Sequence, residues 1–165
     1  MTSRRTKYDG AIEVRRLNVE LESALTEFLR ALVDAGDTAH FQPHPFTAEH
    51  VAKLARHTGD DLYYLLTESN RVLAYGMLRG WDEGFSIPSL GIAVHPAARG
   101  SGLGRLMMSF LHAAAKRRNC PSVRLRVAVE NRSAATLYES LGYHFTQSEG
   151  GYRIGFIELG SGRAD

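Results

Sequence analysis

Cysteine is nearly absent: Cys120 is the single thiol in 165 residues. One thiol can make no intrachain bridge, so the chain is expected in a reducing, cytoplasmic compartment. Cys120 precedes Pro121 behind an expected helix, and it reads as a small loop or core residue rather than a catalytic thiol. Long apolar runs are absent too. No stretch approaches the roughly 18 residues that a membrane span needs, so no membrane contact is expected. The basic start MTSRRTKYDG lacks the apolar centre of a signal peptide. A large charge of one sign is also missing. The formal net charge is +2, too small to suggest a nucleic-acid binder. What remains is an ordinary globular composition, 44% hydrophobic and 23% charged, at a length that suits one core. The expected organisation is a disordered tip over residues 1–10, one domain over 11–160 and a disordered tail over 161–165.

Hydrophobic periodicity then sets the elements. Ile12 and Val14 alternate with charged neighbours and predict a first strand. Leu21, Leu25, Phe28 and Leu32 keep helical spacing until Gly36. Thr47 can cap a second helix running to His57. Leu62 to Thr67 and Val72 to Arg79 predict a hairpin over Ser69-Asn70. A turn over Gly80 to Gly84 leads to a strand at Ser89 to Val94. The longest helical stripe follows, through Leu103, Leu106, Met107, Phe110, Leu111 and Ala114. Val123, Leu125, Val127 and Val129 alternate as a strand. A helix capped by Ser133 carries Ala134, Leu137, Tyr138 and Leu141, and two more strands close the chain. The order β-α-α-β-β-β-α-β-α-β-β predicts a mixed α/β (α+β) sheet covered by helices, with a parallel crossover between Leu90 and Val129.

Chemistry concentrates in Arg99-Gly100-Ser101-Gly102-Leu103-Gly104, between a strand and a helix start. Glycines admit positive φ and close approach of a ligand. Successive N–H groups in such a turn, joined by the free N–H groups and dipole of the helix, make an anion site. Arg99 and Arg105 flank it, so a phosphate or pyrophosphate is the expected ligand. The P-loop run G-x-x-x-x-G-K-S/T is missing. A dinucleotide site would want an acid about 20 residues on, where Arg124 stands.

The segment from Ile92 to Arg105 resembles motif A of the GNAT superfamily of N-acetyltransferases: Gln or Arg, two residues, Gly, one residue, then Gly or Ala at a helix start. Arg99, Gly102 and Gly104 fill the defining positions. Glu130 to Tyr143 resembles motif B, E-N-x-x-A-x-x-L-Y-x-x-x-G-F/Y. The two blocks stand in the family's order, and the element order fits over nearly the whole chain.

The resemblance implies an acetyl-CoA-dependent N-acetyltransferase, with a GNAT-like, mostly antiparallel sheet and direct attack by a primary amine in a ternary complex. It implies coenzyme A pyrophosphate on Arg99, Gly100, Ser101, Gly102, Leu103, Gly104 and Arg105. Pantetheine would run along Ile92, Ala93 and Val94, with the Val94 N–H polarising the thioester carbonyl. It places Asn131 against the cofactor and makes Tyr138 the general acid. A phenol near ~10 can donate to a thiolate near ~8.5. Ribosomal-protein N-terminal acetyltransferases of the family carry a glutamate base five residues before the motif B asparagine, and this chain has Arg126 there. Glu83, with Asp82, is the candidate base instead.

His44, Trp81 and Glu83 are the expected acceptor-side residues, and Phe41, Phe46 and Tyr75 are candidates for an aromatic wall or for the core. His40 and His44 have a zinc-like spacing, but no cysteine or clear carboxylate completes the set, so no metal is expected. The mixed aromatic and polar set suits a small-molecule amine. A protein amine, an acyl-CoA sensor without catalysis and a nucleotide-binding oxidoreductase fragment are the alternatives. Dimers are common in the family, so a homodimer is a further expectation.

Overall fold

The structure, a computed structural model, describes residues 10–160. Apart from Gly10, the expected tip and tail lie outside the described residues.

The first strand, β1, spans Ile12–Arg16. A 3-10 turn at Val19–Leu21 follows, capped by the Asn18 side chain, which accepts from the Glu20 N–H. Helix α1, Glu22–Asp34, buries Leu25, Phe28, Leu29 and Leu32, one face at helical spacing. Gly36, at φ 76°, stops it. Helix α2, Ala48–Ala55, starts where the Thr47 hydroxyl accepts from the His50 N–H. Strands β2, Leu62–Glu68, and β3, Arg71–Arg79, form the expected hairpin. Strand β4 is Ser89–Val94, helix α3 Leu103–Arg117 and strand β5 Ser122–Ala128. Helix α4 is Arg132–Ser140, and β6, His144–Glu149, pairs with β7, Tyr152–Glu158. The element order is the expected one.

The seven strands form one sheet in the order β1-β2-β3-β4-β5-β7-β6. Every pairing is antiparallel except β4 with β5. One face is covered by α1 and α2, whose apolar residues meet Tyr63, Leu65, Tyr75 and Met77. The other face is covered by α3 and α4, packed on Leu62, Leu78, Leu90, Val123, Leu125 and Val127. Burying each such side chain is worth about 1.5–3 kcal/mol. The two cores therefore clamp opposite faces of the central strands and hold them in register.

Two local expectations change. The buried stripe of α3 is Met107, Met108, Leu111 and Ala115, while Leu106 is 45% exposed. Two residues apart, Leu106 and Met108 lie on nearly opposite sides of the helix, and contact with the sheet selects the Met108 side. The cap of α4 is Asn131 rather than Ser133. Asn131 has non-helical backbone angles (φ −84°, ψ 71°), and its Oδ1 accepts from the Ala134 N–H. Ser133 is already inside the first turn.

Candidate active site

The parallel junction is short. Only Ser89 with Arg124 and Leu90 with Leu125 are in register between β4 and β5. Past Leu90, β4 stays with β3, and β5 stays with β7. The sheet splits, and a cleft of about 510 Å³ occupies the gap.

Backbone alternation decides which groups line the gap. The His95 N–H donates to the Leu73 carbonyl across the β3 side. In an antiparallel ladder, alternate residues point both their N–H and C=O to the same neighbour. Ala93 and Gly91 therefore turn those groups toward β3, and Ile92 and Val94 turn theirs into the cleft. Ala93 lines the cleft, but its backbone polar groups belong to the β3 ladder. Gly91 has a separate effect. A Cβ there would press on Met77 at 3.1 Å and touch Phe41 at 3.6 Å, so glycine leaves room for the Met77 side chain beside the strand.

The turn after β4 closes one end. Gly100 and Gly102 sit at φ 78° and 83°, a region that side chains adopt at a cost of about 1–2 kcal/mol. Nothing lies within 4 Å of a Cβ built at either position, so conformation, not crowding, calls for glycine there. Gly104 is a different case. A Cβ there would lie 3.4 Å from Leu137 and 3.6 Å from Val94, ordinary contact distances, so the site where α3 meets α4 and β4 has room for a Cβ and no more.

Helix α3 has no side-chain cap and no acid in its first turn, and its first internal bond runs from the Leu106 N–H to the Gly102 carbonyl. The N–H groups of Leu103, Gly104 and Arg105 are left without helical acceptors, at the positive end of the helix dipole. Such a helix start favours a negative charge. Gly100, Gly102, Leu103, Gly104 and Arg105 line the cleft, and the Arg105 guanidinium donates to Ser140 Oγ at 2.8 Å across to α4. The Ser101 side chain turns away, its hydroxyl donating to the Ala98 carbonyl at 2.7 Å. Arg99 is engaged: Nε and Nη2 donate to the Val94 carbonyl at 3.3 Å, and Nη2 also donates to the Asp37 carboxylate.

Helix α4 forms the second wall. Asn131, Ser133, Ala134, Leu137 and Tyr138 face the cleft. Tyr138 is 9% exposed, and its ring lies 5.9 Å from that of Tyr143. Burial pushes its phenol up to about 12, so it remains a proton donor throughout the neutral range. The third wall comes from the end of α1 and the loop beyond it, through Leu32, Asp37, His40 and Phe41. The fourth includes Arg126 of β5.

Three expected acceptor residues are not brought to the cleft. His44 is 7% exposed, beneath the loop that carries Phe41. Its Nδ1–H donates to the Pro45 carbonyl at 2.8 Å, so Nε2 accepts from the Tyr75 hydroxyl at 2.9 Å. Both ring nitrogens are thereby used inside the fold, and desolvation lowers the imidazole pKa to about 4. Trp81 and Glu83 sit in the β3–β4 turn, at the Ser89 end of β4, whereas the glycine turn follows the Val94 end. Trp81 packs on the core under the Arg118 guanidinium, 4.4 Å away, and Glu83 is exposed. The turn is pinned by Asp61, which accepts from the Gly80 and Asp82 N–H groups. Asp82 in turn meets the Asp60 N–H at 2.6 Å and His57 Nε2 at 3.0 Å. Of the aromatic candidates Phe41 reaches the cleft, and Tyr75 is core.

Known proteins share this architecture. The GNAT domain of S. lividans PAT superposes with a TM-score of 0.78 at 19% identity, over 90% of this chain and 91% of that one. The structure of yncA from Salmonella typhimurium, with its cofactor acetyl-CoA, gives 0.73 at 22% identity, over 94% and 98%. At these identities the likeness is one of fold. In sequence, acetyltransferase SG1711 of Sodalis glossinidius is 28% identical over 88 residues, which are 53% of this chain and 61% of that protein. The profile of the acetyltransferase (GNAT) family matches residues 24–143. That match runs from α1 to the residue beyond α4's end turn and takes in the split strand, the glycine turn and Tyr138 alike, so the chain belongs to the acetyltransferase (GNAT) family.

Proposed function

We propose that the protein transfers the acetyl group of acetyl-CoA to a primary amine of a small molecule, by direct attack within a ternary complex. The observation that carries this reading is the convergence of the α3 N-terminus and Tyr138 on one cleft, opened where β4 leaves β5. The catalytic unit is taken as residues 11–160.

The residues fit coenzyme A. The uncapped start of α3 offers three N–H groups to a pyrophosphate, and the open space beside Gly100 and Gly102 lets it approach. Arg105 adds charge. The Ile92 N–H and C=O and the Val94 N–H offer the backbone edge that β5 leaves unpaired, the Val94 carbonyl being held by Arg99, and suit the amide groups of a pantetheine arm. Asn131, already used as a helix cap, presents its remaining polar atoms on the same wall. Bound there, acetyl-CoA supplies an activated thioester.

The chain's own part is positioning and proton handling. The Val94 N–H donates to the thioester carbonyl as negative charge develops on it. Tyr138 donates to the departing sulfur. A phenol held near 12 shares its proton with a thiolate near ~8.5 rather than losing it outright, and the proton released by the attacking amine completes the thiol. The amine itself must arrive neutral. The cleft presents the His40 imidazole, which has no ion-pair partner among the described residues, while Asp37 is held by Arg99.

The test is thiol release from acetyl-CoA across a panel of amines, with Tyr138→Phe in parallel. Turnover should fall about 10²- to 10⁴-fold in the variant, with coenzyme A binding retained in calorimetry. Undiminished turnover removes Tyr138 from the chemistry. Binding without turnover on any amine would point to an acyl-CoA sensor instead.

A further inference from the structure

On β5, Val123, Leu125 and Val127 belong to the core under α3 and α4. By strand alternation Arg124 and Arg126 face the opposite side of the sheet. Helices α1 and α2 cover that side over β2 and β3, and their cover ends before β5. Arg126 is therefore exposed, and it lines the cleft across the gap from β4. Its guanidinium lies 4.2 Å from the Tyr152 ring centroid. Stacking of this kind fixes the plane of the group and leaves its N–H fork free to donate.

Neither Arg124 nor Arg126 has a carboxylate partner among the described residues, where Arg15, Arg56, Arg99 and Arg153 each have one. Glu149 and Glu158 lie on the same face by register, opposite Tyr152 and Ser122 through the β7 ladder, and neither reaches these arginines. On the neighbouring strand, Arg79 is in register with Ser89, which is itself in register with Arg124, so three arginines lie close on this face. The Arg79 guanidinium donates to the Pro43 carbonyl. Of the three, Arg126 alone lines the cleft, so one stacked, oriented and unpaired guanidinium stands at the gap itself.

We propose that Arg126 is the specificity-determining residue for the acceptor, binding the carboxylate of a small amino-acid-type amine whose amino group is then directed to the thioester. The proposal rests on the reading of the cleft as an acetyl-transfer site. A planar guanidinium fork matches a planar carboxylate in two parallel hydrogen bonds, and it holds the amine at a fixed distance from the charge it recognises. An amine without a carboxylate gains nothing from this contact, and a polyamine meets a like charge at Arg126.

The experiment measures thiol release from acetyl-CoA with matched acceptors: the standard amino acids, their carboxamides, glucosamine and glucosamine 6-phosphate. Wild-type protein should prefer at least one amino acid to its amide by about 10- to 100-fold in kcat/KM, the worth of a charge-assisted hydrogen-bond pair. In Arg126→Gln that ratio should fall toward one, chiefly through KM, and Arg126→Lys should keep part of it. A ratio near one in the wild-type protein overturns the proposal. So does a preference that survives Arg126→Gln, or one shown only for the phosphorylated sugar. If no acceptor releases thiol, the acetyl-transfer reading fails separately. Calorimetry of the same amino acids with coenzyme A-saturated protein then decides: binding lost in Arg126→Gln supports the carboxylate site, and equal or absent binding overturns it.

Discussion

The two ends of the cleft are built differently. The end at the glycine turn comes from contiguous chain: β4, the turn and the first turn of α3, with α4 a strand later. The other end is assembled from distant pieces: Asp37 to Phe41 from the loop after α1, Gly91 from β4 and Arg126 from β5. The first end offers backbone, because free N–H groups and left-handed glycines are local products of a strand-to-helix turn. The second offers side chains, and each depends on packing elsewhere. A backbone site tolerates wide change around it, whereas a side-chain site is retuned by one substitution.

The largest expected effect tests where the two ends meet. Tyr138→Phe should cost about 10²- to 10⁴-fold in kcat while leaving melting temperature and coenzyme A affinity nearly unchanged. A matching loss of affinity would mean that Tyr138 serves the cofactor end alone.

His44 tests the support beneath the acceptor end. Its pKa is about 4 in the fold against 6.5 when unfolded. Between those values the unfolded chain takes up a proton that the fold refuses, so stability drops as pH falls from about 6.5 to about 4. The loss should reach about 3 kcal/mol, with no further contribution from this group below pH 4. Denaturant melts across that window should show it, and His44→Gln should flatten it.

Gly102→Val tests the backbone end. A branched side chain at φ 83° should cost about 1–2 kcal/mol and weaken coenzyme A binding by about tenfold. The amino-acid-over-amide ratio should not move, since Arg126 is untouched. A change in that ratio would show the two ends to be coupled.

Asp37→Asn works on the contact that joins them. Its ion pair with Arg99 is partly exposed, so removing it should change stability by less than about 1 kcal/mol. The released guanidinium should raise coenzyme A affinity a few-fold, read by calorimetry. The smallest effect belongs to Glu83→Gln. This exposed side chain lies off the cleft, and kcat should stay within about twofold. A large loss would restore Glu83 as the base.

Much of the fold was legible because its signals are periodic. The strands, the helix order and the parallel crossover all follow from spacing of apolar residues and from turn residues such as Gly36 and Thr47. The errors are local. Leu106 in place of Met108 is a rotation of the apolar stripe around the helix axis, which only contact with the sheet fixes. Ser133 in place of Asn131 is a shift of two residues among side chains that all can cap. In the site, Asn131 and Tyr138 reach the cleft with the glycine turn. His44, Trp81 and Glu83 do not, because residue chemistry alone said nothing of which end of β4 each would join.

The sequence by itself determined the glycine turn at the head of α3 and the position of Tyr138 seven residues beyond the α4 cap. Both are local: a positive φ needs glycine wherever the chain folds, and helical spacing carries a cap to its hydroxyl. Tertiary structure decided that Arg99 would meet Asp37, that His44 would be buried neutral under Tyr75, and that Arg126 would stand at an open gap. Alternation along β5 could place Arg126 opposite the apolar face. Only the two-residue register of β4 with β5, set by the cores on either side of the sheet, left the space in front of it.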